Sequence, residues 1–171
     1  MRLALLTAVF LALATMPATA QVGNDVSQIS KRARATYTAL LTSARNADIA
    51  GLQAIIDKQG SRTELGFGGA TTAQQFITDY AVDGEELVVL AELVNLLELP
   101  YMRVETPNVT YYVWPYLDRI DLSSMTEADK VAAYQLVGPK DLENFVEFGG
   151  WLSYRIIIDA DGTWVSLAAG D

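Results

Sequence analysis

The chain of 171 residues contains no cysteine and no histidine. Without cysteine there is no disulfide to brace an exported fold and no thiol for a lipid anchor, so stability has to come from packing. Without histidine the commonest general base, the commonest metal ligand and the near-neutral pH switch are missing. Ser-His-Asp and Cys-His catalysis are excluded. An ordinary zinc site is left without its usual ligands. Any enzyme built on this chain works with Asp, Glu, Lys, Tyr, Arg or Ser.

Positive charge is scarce as well. Twelve Lys and Arg face 21 Asp and Glu, for a net charge of −9. Nucleic-acid binding needs clustered cations to neutralise phosphates. The one cluster, Lys31, Arg32 and Arg34, sits in a strongly negative background, so no nucleic-acid partner is expected. Past the amino terminus, long apolar runs are missing too. Leu87 to Leu99 is broken by Glu92, Asn95 and Glu98, and a span takes roughly 20 apolar residues. No membrane span is expected in the mature chain.

The amino terminus is the exception. Arg2 precedes an apolar run from Leu3 to Leu13, Pro17 breaks it, and Ala18-Thr19-Ala20 places small residues before Gln21. That is the layout of a secretory signal peptide. It implies residues 1–20 as the signal, residues 21–171 as a single exported domain, and a periplasmic or secreted location. The compactness of the signal suggests a bacterial host. Losing Arg2 takes the net charge from −9 to −10.

Helical spacing of apolar residues predicts a helix over 26–45, with Asp25 and Gln28 as a capping pair, after a flexible start at 21–24. Asp48 caps a second helix that Gly60 ends. Thr72 with Gln75 caps a third, and Asp83 with Glu86 a fourth over about 84–98, closed by Pro100. The period then changes to two. Met102–Thr106 and Val109–Trp114 read as strands. On the second, Val109, Tyr111 and Val113 share one face, and Thr110, Tyr112 and Trp114 the other. Short helices follow over about 127–137 and 140–148, with Thr126 capping the first and Pro139 suited to the start of the second. Leu152–Ile158 and Thr163–Ala168 flank Asp159-Ala160-Asp161-Gly162, a hairpin signal. The predicted class is α+β: a helix-rich amino-terminal half packed on a small antiparallel sheet that ends in a carboxy-terminal hairpin.

Three patterns invite chemistry. Asp159 and Asp161 begin a calcium-loop spacing, but its sixth position is Trp164 and its twelfth Gly170, so a turn is expected. Gly66-Phe67-Gly68-Gly69 before a helix resembles a phosphate cradle, but Thr71 stands where a third glycine is needed. Paired carboxylates could hydrolyse a polysaccharide if two faced each other across a cleft. Asp79, Asp83, Asp141, Glu143 and Glu147 read as exposed instead. No catalytic residue, metal ligand or cofactor is assigned.

The aromatic residues are the remaining candidates. Tyr112, Trp114 and Trp164 are the expected contact residues for a ligand or partner, if their rings form a stacking platform and are not core. The tail Tyr154-Arg155-Ile156 … Asp159-Ala160-Asp161-Gly162-Thr163-Trp164 … Ala169-Gly170-Asp171, with Tyr112-Val113-Trp114-Pro115 upstream, resembles a pattern in uncharacterised exported bacterial proteins. The resemblance implies export and no particular activity. The expected function is a non-enzymatic binding or interaction module of the bacterial envelope, its partner an envelope protein or a glycan. A carbohydrate- or small-ligand-binding domain and a carboxylate-dependent hydrolase of wall polysaccharide are the alternatives.

Overall fold

The structure, a computed structural model, describes residues 19–60, 63–66, 69–81 and 83–170. The apolar run of the expected signal peptide lies outside the described residues. The chain folds as α+β, with six α-helices and a six-stranded sheet among the described residues.

The strands are β1 (Thr19–Gly23), β2 (Glu64–Leu65), β3 (Tyr101–Glu105), β4 (Thr110–Trp114), β5 (Tyr154–Asp159) and β6 (Trp164–Ala169). Their spatial order is β1-β3-β4-β5-β6-β2. All neighbours are antiparallel except β2, which runs parallel to β6. The sheet is therefore larger than the small antiparallel one expected, and it is mixed. Both additions are edge strands. Residues 21–23, expected as a flexible start, join Thr19 and Ala20 in pairing with β3. This covers a row of β3 amides and carbonyls that would otherwise stand open. A cleavage after Ala20 falls inside β1 and leaves Gln21–Gly23 as its paired remainder.

One face of the sheet carries α1 (Lys31–Arg45), α2 (Ile49–Lys58), α3 (Ala73–Tyr80) and α4 (Glu86–Glu98). Local chemistry sets their ends. Ser30, not Asp25, caps α1 by accepting from the Ala33 amide, while Asp25 caps a separate 3-10 turn at Val26–Gln28. Asn46 ends α1. Asp48 and Thr72 cap α2 and α3 as expected, accepting from the Gly51 and Gln75 amides. The expected cap at Asp83 does not form. Asp83 sits at φ +53°, and Glu86 instead accepts from Gln74 and Thr78 on α3. The four helices bury Leu40, Ile56, Phe76, Leu93 and Leu97 against Trp114, Ile156, Ile158 and Leu167 of the sheet.

The other face carries α5 (Glu127–Ala133) and α6 (Pro139–Phe148), preceded by 3-10 turns at Tyr116–Arg119 and Leu122–Ser124. Thr126 and Asp129 form a reciprocal capping box on α5. Pro139 opens α6, and Gly149 closes it at φ +88°. These helices bury Ala132, Ala133 and Leu142 with Met102, Val113, Leu117 and Trp151 in a second core.

The hairpin turn is tied to α1. Ser30 Oγ donates to the Ala160 carbonyl at 2.5 Å and Thr36 Oγ1 to the Gly162 carbonyl at 2.5 Å. Gly162 has φ +89°, and a Cβ there would lie 2.8 Å from the Arg32 carbonyl oxygen. Asp159 accepts from the Thr163 amide at 2.8 Å, so its carboxylate serves the turn itself. Among the described residues no helix is long and apolar enough to cross a membrane.

Candidate functional site

The expected aromatic platform is core. Tyr112, Trp114 and Trp164 are 3%, 0% and 1% exposed. All three rings lie on the face that α1–α4 close. Tyr37 of α1 stacks on Trp114 with centroids 5.5 Å apart, and Tyr101 tilts against it at 5.4 Å. Tyr112 Oη accepts from the Ser30 amide at 3.1 Å. Trp164 Nε1 donates to the Ser166 carbonyl at 3.1 Å. The Trp114 indole N–H is buried with no hydrogen-bond partner. None of the three offers a face to a sugar ring, so their role as contact residues is withdrawn. The alternation that put Tyr112 and Trp114 on one strand face was right. It did not reveal that four helices cover that face.

The opposite face has less cover. It carries two helices, α5 of 7 residues and α6 of 10, where the first face carries four of 8 to 15. α5 and α6 bury the part of the sheet around Met102 and Val113, and Val104, Tyr111 and Ile157 pack against that core only in part. Beyond the two helices lies an open recess of about 370 Å³ lined by Val104, Thr106, Tyr111, Val113, Arg119, Ile157 and Val165. Val104 and Tyr111 are paired across β3 and β4, and Val113 and Ile157 across β4 and β5. Val165 joins them through a β-bulge. It falls between the Ile158–Trp164 and Ile157–Ser166 pairs, one residue more on β6 than on β5. Bulges re-aim a side chain in this way. Val104, Tyr111, Ile157 and Val165 are each only half-buried.

Arg119 is the charged member of this lining, at the end of the 3-10 turn that follows β4. Its Nε lies 2.9 Å from Asp118 Oδ2, and the Asp118 side chain is 7% exposed. Asp118 Oδ1 also faces Arg155 Nη1 at 3.6 Å. Arg155 donates in turn to the Gly170 carbonyl. One buried carboxylate thus sits between two guanidinium groups and fixes the one at the recess.

The acids expected at the surface are there: Asp79, Asp83, Asp141, Glu143 and Glu147 are exposed. Glu92 is the acid that sequence reasoning passed over. It lies in a narrow recess among Phe76, Val89, Leu93, Leu96, Tyr154 and Leu167. Burial pushes its carboxyl above the ordinary range. Burial, then the Glu92 charge, raises the Tyr154 phenol. The signal was available: positions 89, 92 and 96 share a helix face, and Glu92 interrupts an apolar stripe there. No second acid among the described residues lines that recess. Among the described residues no group of three or more Asp and Glu is gathered to hold a metal ion. Of the glycine-rich segment, Gly66 donates its amide to the Leu167 carbonyl at 2.8 Å, while Phe67 and Gly68 lie outside the described residues.

Comparison with protein-family models, with curated proteins and with solved structures finds no match.

Proposed function

We propose that the protein is an exported binding module of the bacterial envelope that takes an apolar group on the open half of its sheet. The observation that carries this reading is the recess itself. Val104, Tyr111, Ile157 and Val165 form one apolar surface across four strands, half-buried at the edge of the core that holds Val113. Ligand sites are commonly of this kind, mostly apolar with a few polar groups at the rim. Thr106 and Arg119 are those groups here. Export is supported by the amino-terminal sequence, in which a basic start, an apolar run and small residues precede Gln21. Binding is favoured over polysaccharide hydrolysis because Glu92, the acid with the raised carboxyl, has no second acid in its recess. Two-carboxylate hydrolysis needs a pair spanning a cleft.

The test uses residues 21–171 and a neutral apolar fluorophore, N-phenylnaphthylamine. Fluorescence should rise saturably with protein. The variant Val165→Lys, which places a charge on the open face, should abolish the rise while leaving the unfolding midpoint unchanged. Equal signal from the folded variant and the parent would overturn the site. Mass spectrometry of the protein from the envelope fraction should read Gln21 as the first residue, and Met1 there would overturn export by this signal.

A further inference from the structure

We infer that the occupant of the open recess is a single-chain apolar carboxylate of the fatty-acid type, with its carboxylate on Arg119 and its chain along Val104, Tyr111, Ile157 and Val165. The inference rests on the reading of that recess as a binding site and names the ligand class.

Three observations converge on this chemistry. The first is charge. The chain carries −9 overall and repels anions at long range. Yet the charged side chain placed in its apolar recess is an arginine. The second is how that arginine is held. Asp118, almost wholly buried, fixes Nε from behind at 2.9 Å and is itself steadied by Arg155. A guanidinium has five N–H donors in a rigid plane, and Asp118 pairs with it on the Nε side. A pre-positioned fork loses little freedom when it meets a carboxylate, whose two oxygens match its geometry. The third is size and polarity. A volume of about 370 Å³ is at the lower end of what small-ligand sites offer, roughly 300–1,000 Å³. That suits one alkyl chain and leaves no room for a two-tailed lipid. The polar groups besides Arg119 are the Thr106 and Tyr111 hydroxyls, too few to satisfy the many hydroxyls of a sugar.

The experiment is a calorimetric titration of residues 21–171 with decanoate, decanol and decyltrimethylammonium, each below its micelle concentration. Decanoate should bind about tenfold more tightly than decanol, the size of one charge-assisted contact. The cation should bind more weakly than the alcohol. Amide shifts in the decanoate complex should centre on Val104, Tyr111 and Val165. Arg119→Gln should equalise acid and alcohol without weakening the alcohol. If Arg119→Gln fails to fold, Arg119→Lys replaces it. Lysine keeps the charge and loses the fork, so the preference should shrink without vanishing. Equal binding of decanoate and decanol by the parent would overturn the carboxylate assignment and leave the apolar site standing. Absence of binding by both would overturn the site and the ligand class together.

Discussion

The two faces of the sheet are built from the same alternating strands and come to opposite ends. On one face, four helices of 8 to 15 residues lie over Trp114, Trp164, Ile156, Ile158 and Leu167, each of them 0–1% exposed. On the other, helices of 7 and 10 residues cover Met102 and Val113 and leave Val104, Tyr111, Ile157 and Val165 half open. Two charged residues, one at the margin of each face, are treated in opposite ways. Glu92 is pressed among apolar side chains on the sealed face, and its carboxyl is pushed up. Arg119 stands at the open face, half in solvent and anchored by Asp118. A sealed face gives stability, while the partly open apolar face is the one on which we place the proposed binding site. The same strand alternation serves both faces, which differ in cover: four helices over one and two over the other.

The comparison breaks most sharply on truncation. Trp114→Ala removes a fully buried ring that Tyr37, Tyr101 and Tyr112 all touch. It should cost about 3–5 kcal/mol by denaturant unfolding. Val165→Lys on the open face should stay within about 0.5 kcal/mol. Similar losses at both positions would mean that the second face is closed in solution.

Next in size is the seam where the hairpin meets the sealing layer. Gly162→Ala forces a side chain into φ +89° and against the Arg32 carbonyl. The expected loss is about 2 kcal/mol. Hydrogen exchange should then rise in the first turn of α1 as well as in the hairpin, because Ser30 and Thr36 donate to that turn. A loss confined to the hairpin would show that the two are not coupled.

The short layer on the open face depends on polar ties. Thr126 caps α5, and Asp129 closes the box while accepting from the Tyr116 hydroxyl. Thr126→Ala should cost about 1 kcal/mol, with exchange rising in α5 and not in α1–α4. Hydrogen bonds from Thr126 and then Tyr116 hold the Asp129 carboxyl below its ordinary range. The stability it contributes is therefore present above the ordinary carboxylate pKa, about 3.9. It is lost as pH falls through the depressed value. Asp129→Asn should remove this acid-side loss.

Much of this was legible in the residues. Apolar spacing and caps located all six α-helices, and the Asp-Gly turn located the hairpin. The alternation in Thr110–Trp114 assigned both strand faces. What escaped depends on packing between distant segments. Asp25 and Ser30 are both good caps, and only the docking of Ser30 onto Ala160 and Tyr112 selects the second. The Asp83–Glu86 pair reads as a capping box, but Glu86 is drawn to Gln74 and Thr78 of the neighbouring helix. β1 carries too little pattern to announce itself and forms because β3 offers an edge. The site suffered most. Tyr112, Trp114 and Trp164 went inside, while the recess joins three valines and an isoleucine to Tyr111, Thr106 and Arg119, and its openness depends on how much of the sheet α5 and α6 cover. No spacing rule records that cover.

The smallest expected effect concerns Glu92 and runs against the usual direction of a mutation. Its carboxyl is raised by burial among Phe76, Leu93, Leu96 and Leu167, so the charged form is disfavoured in the folded chain. A raised acid stabilises the fold relative to its charged state below the ordinary glutamate pKa, about 4.3. That advantage fades as pH rises through the raised folded value. Above that range the burial that raises Glu92 counts against the fold. Glu92→Gln keeps the shape and removes the charge. It should raise the melting temperature at pH 7 by about 2 °C, the scale of a fraction of a kcal/mol in a domain of this size. The gain should shrink toward zero below about pH 4, where wild-type Glu92 is protonated in both states. A gain that is constant across pH would assign the effect to packing instead of charge. Destabilisation at pH 7 would mean that the carboxylate has a partner worth more than its burial costs.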